Sequence, residues 1–102
     1  MKKLFEEIRA ARARGENTVL CTVLASSGSA PRGAGARMAV FADGHASGTI
    51  GGGAVERIAA EQALELLRTG ENLLRTFRLS QNQVCDIGMI CGGDVTVYSQ
   101  IL

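Results

Sequence analysis

Leu4, Phe5, Ile8 and Ala11 recur at the spacing of one helical face, and Gly15 follows a basic last turn, so the pattern predicts an amphipathic helix over 2–14 with a glycine stop. At Thr18 the period changes. Residues 18–25 are β-branched and almost continuously apolar, as in a strand covered on both faces in the middle of a sheet. Residues 37–42 read as a short strand, Asp43-Gly44 as a two-residue turn, and 45–50 as the returning strand of a hairpin. The helical period returns at Val55, Ile58, Ala59, Gln62 and Leu66, giving a helix over 54–68 that Thr69-Gly70 closes. Residues 73–79 alternate weakly and predict a strand. In 95–101, Val95, Val97, Ser99 and Ile101 face one way and Thr96, Tyr98 and Gln100 a wetter way, the period of a half-covered strand. The segments 26–35 and 80–93 are small, polar and glycine-bearing, and are expected to be loops. The expected fold class is α+β: a small mixed β-sheet of about five strands packed against two main helices.

A chain of 102 residues supports one hydrophobic core and leaves no room for a second, so 1–102 is expected to be a single domain. With 46% apolar and 21% charged residues the composition is that of an ordinary globular domain, which excludes a disordered chain. Eleven basic and ten acidic residues give a net charge of +1, too balanced for the field that steers proteins onto nucleic acid. Lys2, Lys3, Arg9, Arg12 and Arg14 do cluster, but on a helix that also carries Glu6 and Glu7, the pattern of a solvated face. Four aromatic residues and no Trp offer little for base stacking. No apolar run reaches the roughly 18 residues of a membrane span, and the start turns acidic where a secretory signal would be apolar. A cytoplasmic protein without membrane contact is the expectation. Three cysteines in a chain able to build a core predict reduced thiols, with Cys21 inside the first apolar strand as packing.

Glycine distribution changes this ordinary picture. Ten of the thirteen glycines fall within Gly28 to Gly35, Gly48 to Gly53 and Gly88 to Gly93, and glycine lets a ligand approach bare backbone N–H groups. The middle stretch, Gly48-Thr49-Ile50-Gly51-Gly52-Gly53, leads from a strand directly into the strongest helix, an arrangement that can receive an anion. It is not a nucleotide motif. A P-loop requires Lys and then Ser or Thr where Ala54 and Val55 stand, and the dinucleotide fingerprint requires a small residue where Glu56 stands. Glu56 either caps the helix start or belongs to a site.

In the first stretch, Arg32 and Arg37 flank glycines beside the only proline, Pro31. Guanidinium groups suit phosphate or carboxylate, although pairing with local carbonyls or a surface acid is the alternative. Ser26, Ser27 and Ser29 add hydroxyl donors. The single histidine, His45, falls at the expected hairpin turn, so a serine-histidine triad is not expected. In the third stretch Cys85 and Cys91 are too few for structural zinc. Cys91, followed by Gly92 and Gly93, is either a buried thiol or a thiolate activated by neighbouring amides.

Taken together, Gly28-Ser29-Ala30-Pro31-Arg32, Gly35-Ala36-Arg37-Met38, Gly48-Thr49-Ile50-Gly51-Gly52-Gly53 with Glu56, and Cys91-Gly92-Gly93 resemble the xanthine dehydrogenase accessory family of XdhC/CoxI type. The resemblance spans nearly the whole chain, and its specificity lies in the order and spacing of the pieces. It implies a non-catalytic accessory protein that binds molybdenum cofactor (molybdopterin), assists its sulfuration by a partner cysteine desulfurase, and delivers it to a molybdenum hydroxylase such as xanthine dehydrogenase. The residues expected to contact the cofactor are Ser29, Arg32, Arg37, Gly51, Gly52, Gly53, Glu56, Cys91, Gly92 and Gly93. Its phosphate matches the Gly51 to Gly53 amides or Arg32 and Arg37, its amidine-like pterin edge matches Glu56, and a molybdenum or sulfur contact falls to Cys91.

Two departures qualify what the resemblance implies. Many relatives continue into a C-terminal Rossmann-like domain absent from these 102 residues, which makes a separate Rossmann-like subunit an expected partner and leaves a homodimer open. Ala54 and Ile90 also stand where some relatives carry cysteine. Two other classes remain beside the cofactor carrier: a ligand-free assembly module that pairs with such a subunit or a hydroxylase, and a thiol enzyme using Cys91.

Overall fold

The computed structural model describes residues 2–26, 34–51, 53–79 and 93–102. Along the chain they form α1 (Lys2–Ala13), β1 (Thr18–Ser26), β2 (Arg37–Phe41), β3 (Ala46–Gly48), α2 (Gly53–Thr69), β4 (Leu73–Leu79) and β5 (Gly93–Ile101). The strands make one sheet in the order β3-β2-β1-β5-β4. Two helices on five strands is the expected α+β class, but every pairing is antiparallel rather than mixed. The reason is the path of the chain. β1, β3 and β4 all run one way, because α2 returns the chain from one sheet edge to the other before β4 begins, and β2 and β5 separate these three from one another.

Side-chain alternation makes β1 the centre of two cores. Val19, Cys21 and Val23 point to one face, where they meet Met38, Val40, Val95, Val97 and Phe77 beneath Val55, Ala59, Ala63 and Leu66 of α2. On the opposite face Leu20, Ala39 and Phe41 pack against Leu4, Ile8 and Ala11 of α1. The expectation of a doubly covered strand therefore holds through Val23. Beyond it, a register shift between Val23 and Ala25 leaves Leu24 52% exposed. Phe5, grouped by its spacing with the core of α1, is instead 42% exposed, with the Arg37 guanidinium 5.7 Å from its ring centroid.

Both helices end as the sequence predicts. Gly15 has φ +77°, and the Glu16 N–H donates to Ala11 O at 3.0 Å while the Gly15 N–H donates to Arg12 O at 2.9 Å, the paired bonds of a Schellman end. Gly70, also at φ +77°, donates to Leu66 O at 2.7 Å. The β2–β3 hairpin differs from its expectation. Phe41 N–H donates to His45 O and Gly44 N–H to Phe41 O, both at 2.9 Å, so the loop is three residues, 42–44. Gly44 at φ +94° takes the left-handed position that such a loop requires. Only Ala46–Gly48 then pairs with β2, three residues where six were expected. The basic residues of α1 are exposed, as a solvated face demands. No described helix is long and apolar enough to cross a membrane.

Candidate functional site

Antiparallel pairing decides where the three glycine-bearing stretches attach. Ser26 at the end of β1 pairs with Val95, Leu79 at the end of β4 pairs with Gly93, and Gly48 at the end of β3 pairs with Met38. Arg37, the first residue of β2, pairs with Thr22. The last residues of β1, β3 and β4 and the first residues of β2 and β5 thus share one end of the sheet. Neighbouring strands lie about 4.8 Å apart, so these attachment points span about 19 Å. The start of α2 at Gly53 lies there too. Of the residues expected to bind cofactor, Arg37, Gly51, Gly53, Glu56 and Gly93 are described and belong to this end. Ser29, Arg32, Gly52, Cys91 and Gly92 lie outside the described residues.

Thr49 organises the turn between β3 and α2. Its N–H donates to Arg37 O at 3.0 Å. Its hydroxyl accepts the Gly51 N–H at 3.1 Å and donates to Glu56 Oε2 at 2.6 Å, in a partly buried position. The approach of Thr49 to β2 depends on Gly48, which has φ +82°. A Cβ at Gly48 would stand 2.5 Å from Arg37 O and 2.9 Å from Leu4 Cδ1. Gly51 and Gly53 follow at φ +127° and +69°, backbone shapes that a side chain opposes. Glu56 lies in the first turn of α2, where the helix dipole favours its charge.

Thr49 was not among the expected site residues, yet it joins three of them. A signal for it exists in the sequence. A threonine hydroxyl readily accepts the N–H two residues later, and a threonine two places before the first of three glycines is placed to do so.

Arg37 stands apart from Glu56. Met38 and Val40 point toward α2 while Ala39 and Phe41 point toward α1, and Arg37 shares the second set. Its guanidinium lies over Phe5 of α1, and its Nε is buried with no acceptor among the described residues. Glu56 is on α2, across the sheet. Thr49 links the two through the Arg37 backbone, but the side chains serve opposite faces of the same sheet end.

The remaining candidates fall elsewhere. His45 is at the hairpin end of the sheet, stacked on Phe41 with ring centroids 4.4 Å apart and with Nδ1 against Asp43 Oδ1. The His45 backbone N–H, and then its ring, hold the Asp43 carboxyl below its ordinary range. The length of β1 separates this pair from the sheet end at which Ser26 pairs with Val95. Cys21 is fully buried and accepts from Ser99 Oγ at 3.4 Å. Burial pushes its thiol up, which makes it packing and not a thiolate. Among the described residues no cluster of three His, Cys, Asp or Glu side chains could hold a metal ion.

Residues 11–78, which run from the end of α1 into β4 and include Arg37, the glycine turn and Glu56, match the XdhC and CoxI family. The chain belongs to the XdhC and CoxI family. Within curated proteins, this family domain is 38% identical over 84 residues to the molybdenum cofactor insertion chaperone PaoD of Escherichia coli K12, covering 81% of the chain and 26% of that protein. It is also 38% identical over 82 residues to the uncharacterized protein YqeB of the same organism, covering 80% of the chain and 15% of YqeB. A solved structure described as a xanthine dehydrogenase from Bacillus halodurans superposes with a TM-score of 0.74 at 22% identity, covering 94% of this chain and 29% of that one. That likeness shows a shared fold. The chain spans less than a third of the length of each of these relatives.

Proposed function

We propose that this XdhC and CoxI family domain is a non-catalytic accessory factor that binds molybdenum cofactor and helps to deliver it to a molybdenum hydroxylase of the xanthine dehydrogenase type. The observation that carries the reading is the common sheet end, to which all three glycine-bearing stretches attach and at which Arg37 and Glu56 stand. Similarity to a protein named as a molybdenum cofactor insertion chaperone supports the choice of ligand. The donor set suits it as well. A buried guanidinium nitrogen without a described acceptor is matched by an anionic oxygen, and a carboxylate by a hydrogen-bond-donating heterocycle.

In this reading Ser29, Arg32 and Arg37 or the amides of Gly51 to Gly53 hold the phosphate, Glu56 meets the pterin edge, and Cys91, Gly92 and Gly93 flank the metal and sulfur end. The bound group itself supplies the redox-active metal. The protein's part is to hold it, orient it and release it. A cysteine desulfurase and a separate Rossmann-like subunit are the further partners in this scheme, and its compartment is the cytoplasm.

The test is retention of cofactor. Protein incubated anaerobically with freshly released molybdopterin, passed through gel filtration and then oxidised with iodine is expected to show pterin fluorescence in the fractions of its own elution volume, and Arg37→Ala to show less. Wild-type protein that elutes free of pterin refutes the proposal.

A further inference from the structure

We infer that the site is polarised across the sheet, with the anionic end of its ligand on the α1 face at Arg37 and the hydrogen-bond-donating end on the α2 side at Glu56. This rests on the proposed binding of a phosphorylated pterin, and it assigns the two ends of that ligand where charge complementarity alone left the phosphate shared between the arginines and the glycine amides.

Three observations separate the ends. The Gly51 N–H, one of the amides an anion would use, already donates to Thr49 Oγ1 at 3.1 Å. The same hydroxyl donates to Glu56 Oε2 at 2.6 Å and so holds a carboxylate at the glycine turn, where it repels a second anion and attracts N–H donors. The Arg37 guanidinium, by contrast, is on the other face, carried by Phe5 and with its Nε lacking an acceptor among the described residues. The hydrogen bond from Thr49 N–H to Arg37 O, 3.0 Å long, holds Thr49, and through its hydroxyl Glu56, beside the Arg37 backbone. A ligand that reaches both must pass over the sheet end, a thickness on the order of 10 Å.

Fluorescence titration of the full chain with two probes separates the ends: a neutral pterin, and the phosphate monoester of the same pterin. Wild type is expected to bind the monoester about tenfold more tightly, the scale of one hydrogen bond to a charged group. Arg37→Gln should abolish that preference and leave the neutral pterin unchanged, and Arg37→Lys should restore part of it. Glu56→Gln, which still accepts from Thr49, should weaken both probes alike and keep the preference. A preference that survives Arg37→Gln, is absent from wild type, or is lost equally in Arg37→Gln and Glu56→Gln overturns the polarity while leaving pterin binding intact. Wild type that binds neither probe overturns the cofactor reading and the polarity with it. Should Glu56→Gln fail to melt as wild type does, the Arg37→Gln and Arg37→Lys pair decides alone.

Discussion

The Thr49 hydroxyl donates to Glu56 Oε2 at 2.6 Å and accepts the Gly51 N–H at 3.1 Å, so one side chain ties the end of β3 to the first turn of α2. Thr49→Val keeps the shape and removes both bonds, leaving the partly buried Gly51 N–H without this acceptor. A loss of about 1–3 kcal/mol is expected, and Thr49→Ser should recover most of it. Urea denaturation checks both variants, and equal midpoints for Val and wild type would show that the hydroxyl contributes nothing.

Two glycines with similar backbone angles should respond differently to the same change. Gly44 has φ +94° and open space where a Cβ would be, so Gly44→Ala costs about 1 kcal/mol for the conformation alone. At Gly48 the added carbon also meets Arg37 O at 2.5 Å, a backbone atom that cannot rotate away. Gly48→Ala is expected to cost roughly 3 kcal/mol or more, since overpacking adds to strain. Denaturant midpoints with unchanged slopes measure the difference.

On α1, burial and spacing predict different rankings. Ile8 is 5% exposed and Phe5 42%. Ile8→Ala should cost about 2–4 kcal/mol. Phe5→Ala should cost about 1 kcal/mol, mostly its contact with the Arg37 guanidinium. Thermal melting of the two variants is the measurement, and a larger loss at Phe5 would contradict the placement of α1.

Cys21 gives the fold a dependence on alkaline pH. Burial raises its folded-state value above that of the unfolded thiol, so the folded form keeps its proton where the unfolded form has lost it. Stability from this group is fully present below about pH 8.5 and declines as pH rises beyond that. Cys21→Ala should flatten the alkaline limb of a stability curve taken between pH 7 and 10. In native protein the same thiol should alkylate only as fast as the chain opens.

The elements with clean periodicity were legible from sequence. The α2 pattern at Val55, Ala59 and Leu66 and the alternation of Val95, Val97 and Ser99 both matched the buried faces. Expectation and structure part where a contact across the fold overrides local pattern. Phe5 fits the apolar stripe of α1, but its ring carries Arg37 from β2. The residues 45–50 alternate well enough for a strand, yet the three-residue turn and the positive φ of Gly48 end β3 after three residues. Glycine clustering marked the candidate site, but not which face each side chain would take, because that depends on strand register. Thr49 carried a local signal obscured by its more conspicuous glycine neighbours.

Strand direction also fixes how the domain can be held. Leu102 donates its N–H to Thr18 O at 2.8 Å, at the start of β1, and so leaves the sheet at the end opposite Arg37, Gly48 and Gly93. A chip, bead or fluorophore attached through Leu102 therefore leaves the sheet end that carries Arg37, Gly48 and Gly93 turned away from the attachment. The hairpin around Asp43 and His45 shares the anchored end, and labels placed there and at Leu102 report on the same side of the domain.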